Sequence, residues 1–177
     1  MYPPRVTQER AAVTYHALSL KQPWATLLVH GLKTIEIRSW RTSYRGSLLI
    51  HAARIDDPCP EAWRHVPPHL LDAVRLKGGV VGIADLTECR FYRNLTEFVA
   101  DASLHLNEPE WFDPKGLYGF CFERPRPLPY RQVPGYVRIF SLQLDDLNLS
   151  LASPEVVGPD AVSRRFDSLG RSLGKRT

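Results

Sequence analysis

ALSLKQPWATLLVHGLKTIEIRSW, residues 17–40, carries the densest structural signals in the chain. Trp24 to Gly31 reads as two helical turns, with Leu27 and Leu28 three and four residues after Trp24 and so on its face. Ser19 or Gln22 is placed to cap this helix, and Pro23 falls in its first turn, where a missing N–H costs nothing. Gly31 supplies the stop, because glycine takes the left-handed conformation without strain. Lys33 to Trp40 then alternates with period two, which predicts a strand. Ile35 and Ile37 face one way; Thr34, Glu36, Arg38 and Trp40 face the other.

Working outward, a turn at Tyr44-Arg45-Gly46 leads to a second strand over Ser47–Ala53, expected to pair with the first. Residues 54–79 hold four prolines and one short helix over Leu70–Leu76. Val80 to Phe91 is rich in β-formers and predicts a central strand, with Gly82 marking a bulge or a close backbone approach. Asn94 to Leu106 reads as helical or irregular. Leu117 to Arg124 is a strand closed by Pro125, Pro127 to Pro134 an extended connection, and Tyr136 to Leu144 the last strand. The pattern predicts an α+β fold, mainly β: a small barrel with a short helix before its first strand and peripheral helices. The expected organisation is an N-terminal arm over 1–16, one domain over 17–147 and a basic extension over 148–177.

The 177 residues suit one domain, and 44% hydrophobic residues suit a packed core. Cys59, Cys89 and Cys121 are odd in number and far apart, which argues against a disulfide framework or a zinc site. No run of 18 apolar residues and no apolar leader is present, so no membrane span and a cytoplasmic location are expected. The net charge of +4 is concentrated at the end: residues 163–177 hold five basic side chains and one acid. Such a tail adds salt-sensitive attraction to phosphates or is simply solvated.

The polar face of the Lys33–Trp40 strand carries the chemistry. A guanidinium (Arg38) pairs with phosphate or carboxylate, an indole (Trp40) stacks on a base, and a carboxylate (Glu36) accepts from an exocyclic amine. Lys33 begins the strand, where a flexible amine meets a phosphate. The bland counterpart is a solvent-facing strand whose charges only steady their neighbours. Six histidines offer no third ligand at metal-like spacing, so neither metal nor cofactor is expected. Trp63 and Trp111 read as packing residues.

Residues 17–40, with Tyr44-Arg45-Gly46 and Leu49–Ala52, closely resemble the ASCH (activating-signal-cointegrator homology) domain, and the resemblance continues more weakly through Gly79–Leu86, Tyr118–Phe122 and Pro134–Phe140. The resemblance covers roughly Ala17 to Leu142 and implies a PUA-like β-barrel with a cleft beside the helix and the first strand. It implies association with RNA or single-stranded DNA, modified bases included, and places Gln22, Pro23, Trp24, Lys33, Glu36 and Arg38 on cleft positions and His51 at a polar one; Lys21, Trp40, Arg45 and Tyr118 complete the candidate ligand-facing set. Some ASCH relatives hydrolyse acetylated cytidine and some are ribonucleases. Where the cytidine amidohydrolases carry a threonine nucleophile this chain has Glu36, so that mechanism does not transfer, although a carboxylate can activate water. The order of motifs is similar to the transcriptional-coactivator type. Three readings stay open: a nucleic-acid or nucleotide-like ligand module, a hydrolase with Lys33 and Glu36 as acid/base pair, and a protein-interaction adaptor using the Pro125–Pro134 stretch.

Overall fold

A computed structural model describes residues 12–145, so the outer part of the expected arm and the basic extension lie outside the described residues. Six strands form one mixed sheet: β1 (Ala12–Leu20), β2 (Ile35–Arg38), β3 (Gly46–Ala52), β4 (Gly79–Tyr92), β5 (Leu117–Gln132) and β6 (Ile139–Asp145), in the order β2-β5-β4-β3-β1-β6. Four short helices accompany them: α1 (Trp24–Val29), α2 (Pro60–Trp63), α3 (Leu95–Ala100) and α4 (Ala102–His105). The expected helix over 70–76 is replaced by two 3₁₀ turns, Pro68–Leu70 and Ala73–Arg75. No helix among the described residues is long and apolar enough to cross a membrane.

The mainly-β reading holds, with corrections to its topology. Residues 12–16, expected in the arm, belong to β1, which pairs antiparallel with β6 and parallel with β3, so a strand precedes α1. Parallel neighbours need a crossover, and here the stretch between β1 and β3 supplies it. That crossover carries α1 and delivers β2 to the far edge of the sheet, beside β5. The expected pairing of β2 with β3 is therefore absent; β3 lies between β4 and β1.

Nor is the sheet closed into a barrel. Its edges are β2, only four residues long, and β6, and no ladder joins them. The sheet curls far enough for Arg38 of β2 to donate from Nη2 to the Ser19 carbonyl of β1 at 2.8 Å. A side-chain bond, not a backbone ladder, spans that gap.

β5 continues through Pro125, Pro127 and Pro129 rather than stopping, so the proline-rich stretch is largely sheet and not an extended connection. The reason is positional: β2 covers β5 only from Tyr118 to Cys121, and beyond that point one side of β5 is an open edge, where proline is tolerated. The chain bends there at Arg124, which takes a left-handed φ of 49°.

Every residue of α1 is buried, and the helix packs against β1, β3, β4 and β5. Leu27 and Leu28 join Leu18, Leu48, Ile50, Leu86 and Phe120 in the core. Each such side chain contributes roughly 1.5–3 kcal/mol of burial free energy. Gly82 makes the packing possible: a Cβ there would lie 2.4 Å from Val29 Cγ1 and 2.6 Å from the Arg126 carbonyl oxygen. The register of β4 shifts beside it on both flanks, as expected of a bulge.

Candidate functional site

The turn into α1 is built by a side chain that never reaches the solvent. Gln22 is fully buried; its Oε1 accepts the Thr26 N–H at 3.1 Å and its Nε2 donates to the Leu76 carbonyl at 3.0 Å. The helix ends at Gly31, φ 74°. The chain then turns so that Lys33 points inward. Lys33 and Thr34 lie outside the regular strand, because their N–H groups go to the Leu27 and Leu104 carbonyls.

Lys33 is 1% exposed. Its ammonium donates to the His105 carbonyl and to Asn107 Oδ1 (3.4 Å), pairs with Glu36 Oε2 (3.5 Å) and sits 4.7 Å from the Trp24 ring centroid. Burial pushes its pKa down to about 8, with the Glu36 carboxylate partly opposing the shift. Glu36 is 8% exposed, and its other oxygen pairs with Arg38 Nη2 at 3.1 Å. The solvent-facing alternative for this strand is thus excluded. So is the picture of Lys33 as a flexible arm, since Lys33 and Arg38 are both committed to Glu36.

This trio faces a cleft of about 730 Å³. Trp24 and Trp111 form one wall, edge to face with centroids 6.2 Å apart. Trp40 forms the other, edge-on against Phe120 at 4.9 Å, with the Arg138 guanidinium 5.4 Å from its centroid. Trp24 is aimed by its indole N–H, which donates to Asp57 Oδ2 at 3.0 Å. Burial raises the Asp57 pKa, but hydrogen bonds from the Cys59 N–H and the Trp24 indole outweigh it, and the carboxyl is held below its ordinary range. The Gln22 carbonyl accepts the Asp57 N–H at 2.8 Å, so the buried turn also fixes Asp57.

Of the residues expected to face a ligand, Lys21, Trp24, Lys33, Glu36, Arg38 and Trp40 line the cleft. The other five do not. Gln22 and Pro23 are buried beneath it. Arg45 is spent on the Thr42 and Tyr44 carbonyls at 3.3 and 2.6 Å. Tyr118 packs against Phe91 with centroids 4.9 Å apart. His51 is buried under a neighbouring groove; its Nδ1 lies 2.9 Å from Ser19 Oγ and its Nε2 3.1 Å from the Val133 carbonyl oxygen. Burial lowers its pKa, with the Val133 contact opposing.

Sequence reasoning missed Asp57, Asn107, Trp111 and Arg138. Asp57, Asn107 and Arg138 come from loops and Trp111 from a 3₁₀ turn over Pro109–Trp111; Trp111 packs against the core as expected, and its half-buried ring also lines the cleft. Among the described residues no three His, Cys, Asp or Glu side chains come together as a metal would need.

The arrangement offers flat aromatic walls, a hydrogen-bonding floor with one net positive charge, and a cationic rim at Lys21 and Arg138. A model of the ASCH domain matches residues 18–126. Activating signal cointegrator 1 of Homo sapiens is 35% identical over 101 residues, 52% of this chain and 17% of that protein. The Mus musculus protein of the same name is 36% identical over 95 residues, 49% and 16% respectively. The chain thus spans about a sixth of the length of the curated relatives it matches. A crystal structure of ASCH from Zymomonas mobilis superposes with a TM-score of 0.51 at 17% identity, covering 78% of this chain and 96% of that one. A mutant form gives 0.51 at 15% identity, covering 75% and 91%. At such identity the likeness shows the fold alone.

Proposed function

The chain belongs to the ASCH domain family, and on that premise we propose that it binds nucleic acid, RNA or single-stranded DNA, with one base, unmodified or modified, held in the tryptophan-walled cleft. The observation that carries this reading is the combination of Trp24, Trp111 and Trp40 around the buried Lys33–Glu36–Arg38 floor. Indole faces accept any base by stacking, worth about 1–3 kcal/mol each. Glu36 and Asn107 offer acceptor and donor groups to the polar edge of a base. Phosphates then belong on the rim, at Lys21 and Arg138, because the floor cations already have a carboxylate partner.

Anisotropy titration with RNA and DNA oligomers at about 50 and about 200 mM salt tests the proposal, since phosphate contacts weaken steeply over that range. Binding at low salt is expected, with Trp40→Ala weakening it by about 1–3 kcal/mol. No binding at low salt, or full affinity in Trp40→Ala, would overturn it.

A second reading has its own support. An amine with a pKa near 8 lies 3.5 Å from a carboxylate on the cleft floor, a pairing suited to general acid/base hydrolysis of RNA or of an acylated nucleoside.

A further inference from the structure

A second groove of about 670 Å³ lies against the cleft, and the two share Ser19, Lys21, Ala53, Tyr136 and Val137. Tyr136 and Val137 form a crest that belongs to both. The crest is exposed (58% and 87%), yet its base is fixed. Gly135 lies so close to His51 that a Cβ there would come within 2.3 Å of the imidazole, and that same ring bonds the Val133 carbonyl and the Ser19 hydroxyl. The Tyr136 ring stands edge-on to Phe140 with centroids 5.4 Å apart. Arg54 and Ile55 also line the second groove.

The charges are one-sided. Lys21 and Arg54 line this groove and no carboxylate does. Neither cation forms an ion pair among the described residues, whereas Lys33 and Arg38 in the cleft are both paired with Glu36. Lys21 thus lies where the two cavities meet and Arg54 in the second one, each cavity within the size range of ligand sites. An anion whose charge sits on a backbone between flat apolar groups is complementary to that layout. Single-stranded nucleic acid has this form; a free nucleoside does not.

We propose that the two grooves are consecutive subsites for one single strand. One base enters the tryptophan-walled cleft, the sugar-phosphate crosses the crest with its phosphates against Lys21 and Arg54, and the next base lies in the second groove against Tyr136. This rests on the nucleic-acid reading and narrows it to a ligand longer than one nucleotide.

The test compares a mononucleotide with a dinucleotide and an octamer, in uridine and thymidine series, on the full chain. Affinity is expected to rise from monomer to dimer by roughly 5- to 150-fold, the equivalent of one further stacked base. Tyr136→Ala should remove that gain and Tyr136→Phe should keep it. Arg54→Ala should weaken octamer binding and make its log–log salt slope shallower by about 0.7, the loss of one phosphate contact on a single strand. Mononucleotide affinity should stay unchanged in Arg54→Ala, whose side chain lines the second groove and not the cleft. Equal affinities for monomer and octamer overturn the inference while leaving the parent reading in place. So does an Arg54→Ala or Tyr136→Ala effect of the same size on mononucleotide and octamer, or displacement of the octamer by an oligoglutamate of matched charge. A chain that binds neither monomer nor octamer overturns both.

Discussion

Lys33 shows how far a single residue's role depends on its surroundings. Taking an ammonium out of water costs several kcal/mol unless partners compensate. Here the compensation comes from the His105 carbonyl, Asn107, Glu36 and the face of Trp24. What remains of the penalty appears as the pKa lowered to about 8. Below that pH the proton stays on and the amine is no base; above it the neutral amine dominates. If the hydrolase reading holds with Lys33 as base, initial rates on RNA or an acylated nucleoside climb about tenfold per pH unit and level off above about pH 8. Glu36→Gln lowers the plateau on the order of 10²–10⁴-fold. A pH-independent rate, or equal rates for wild type and Glu36→Gln, removes the pair from the chemistry. Period-two alternation was enough to place Glu36 and Arg38 together on one face, and they are paired there. It was silent on the burial of Lys33, because the groups that cover it, His105 and Asn107, lie more than seventy residues further along the chain.

Among the elements, α1 and β4 were the most legible, because each carries a strong local signal: leucines at helical spacing before Gly31 and a long β-forming run. Their mutual contact runs through Gly82. Gly82→Ala should lower stability by about 1–3 kcal/mol, the usual cost of overpacking a filled core, read from the urea midpoint. The added methyl meets Val29 and the Arg126 carbonyl. Val29→Ala in that background should recover part of the loss, by removing one of the two obstacles. A wild-type midpoint for Gly82→Ala would mean that α1 does not pack on β4 as described. β5 was legible only in its first half. Prolines usually close a strand, and only knowledge that β2 leaves one side of β5 open explains why this strand runs on. β1 was missed as a strand, because its partners β3 and β6 both come later in the chain.

At the scale of the whole molecule, topology decides where the chemistry gathers. The crossover between β1 and β3 sends β2 to the edge, and the curl of the sheet returns Arg38 to the Ser19 carbonyl. Segments from three distant places then bring Asp57, Trp111 and Arg138 around the same cleft. No local pattern encodes such a meeting, which is why half of the cleft was invisible in the sequence while its β2 wall was not. The chain's four tryptophans provide the most direct check, because Trp24, Trp40 and Trp111 line the cleft and Trp63 does not. In a ¹H–¹⁵N correlation spectrum, each gives one indole N–H signal that can be followed during titration with a single-stranded octamer. Binding in the cleft predicts saturable shifts at Trp24, Trp40 and Trp111, largest at the half-buried Trp40 and Trp111, with Trp63 moving least. Saturable binding that leaves the Trp40 and Trp111 signals in place would contradict the account.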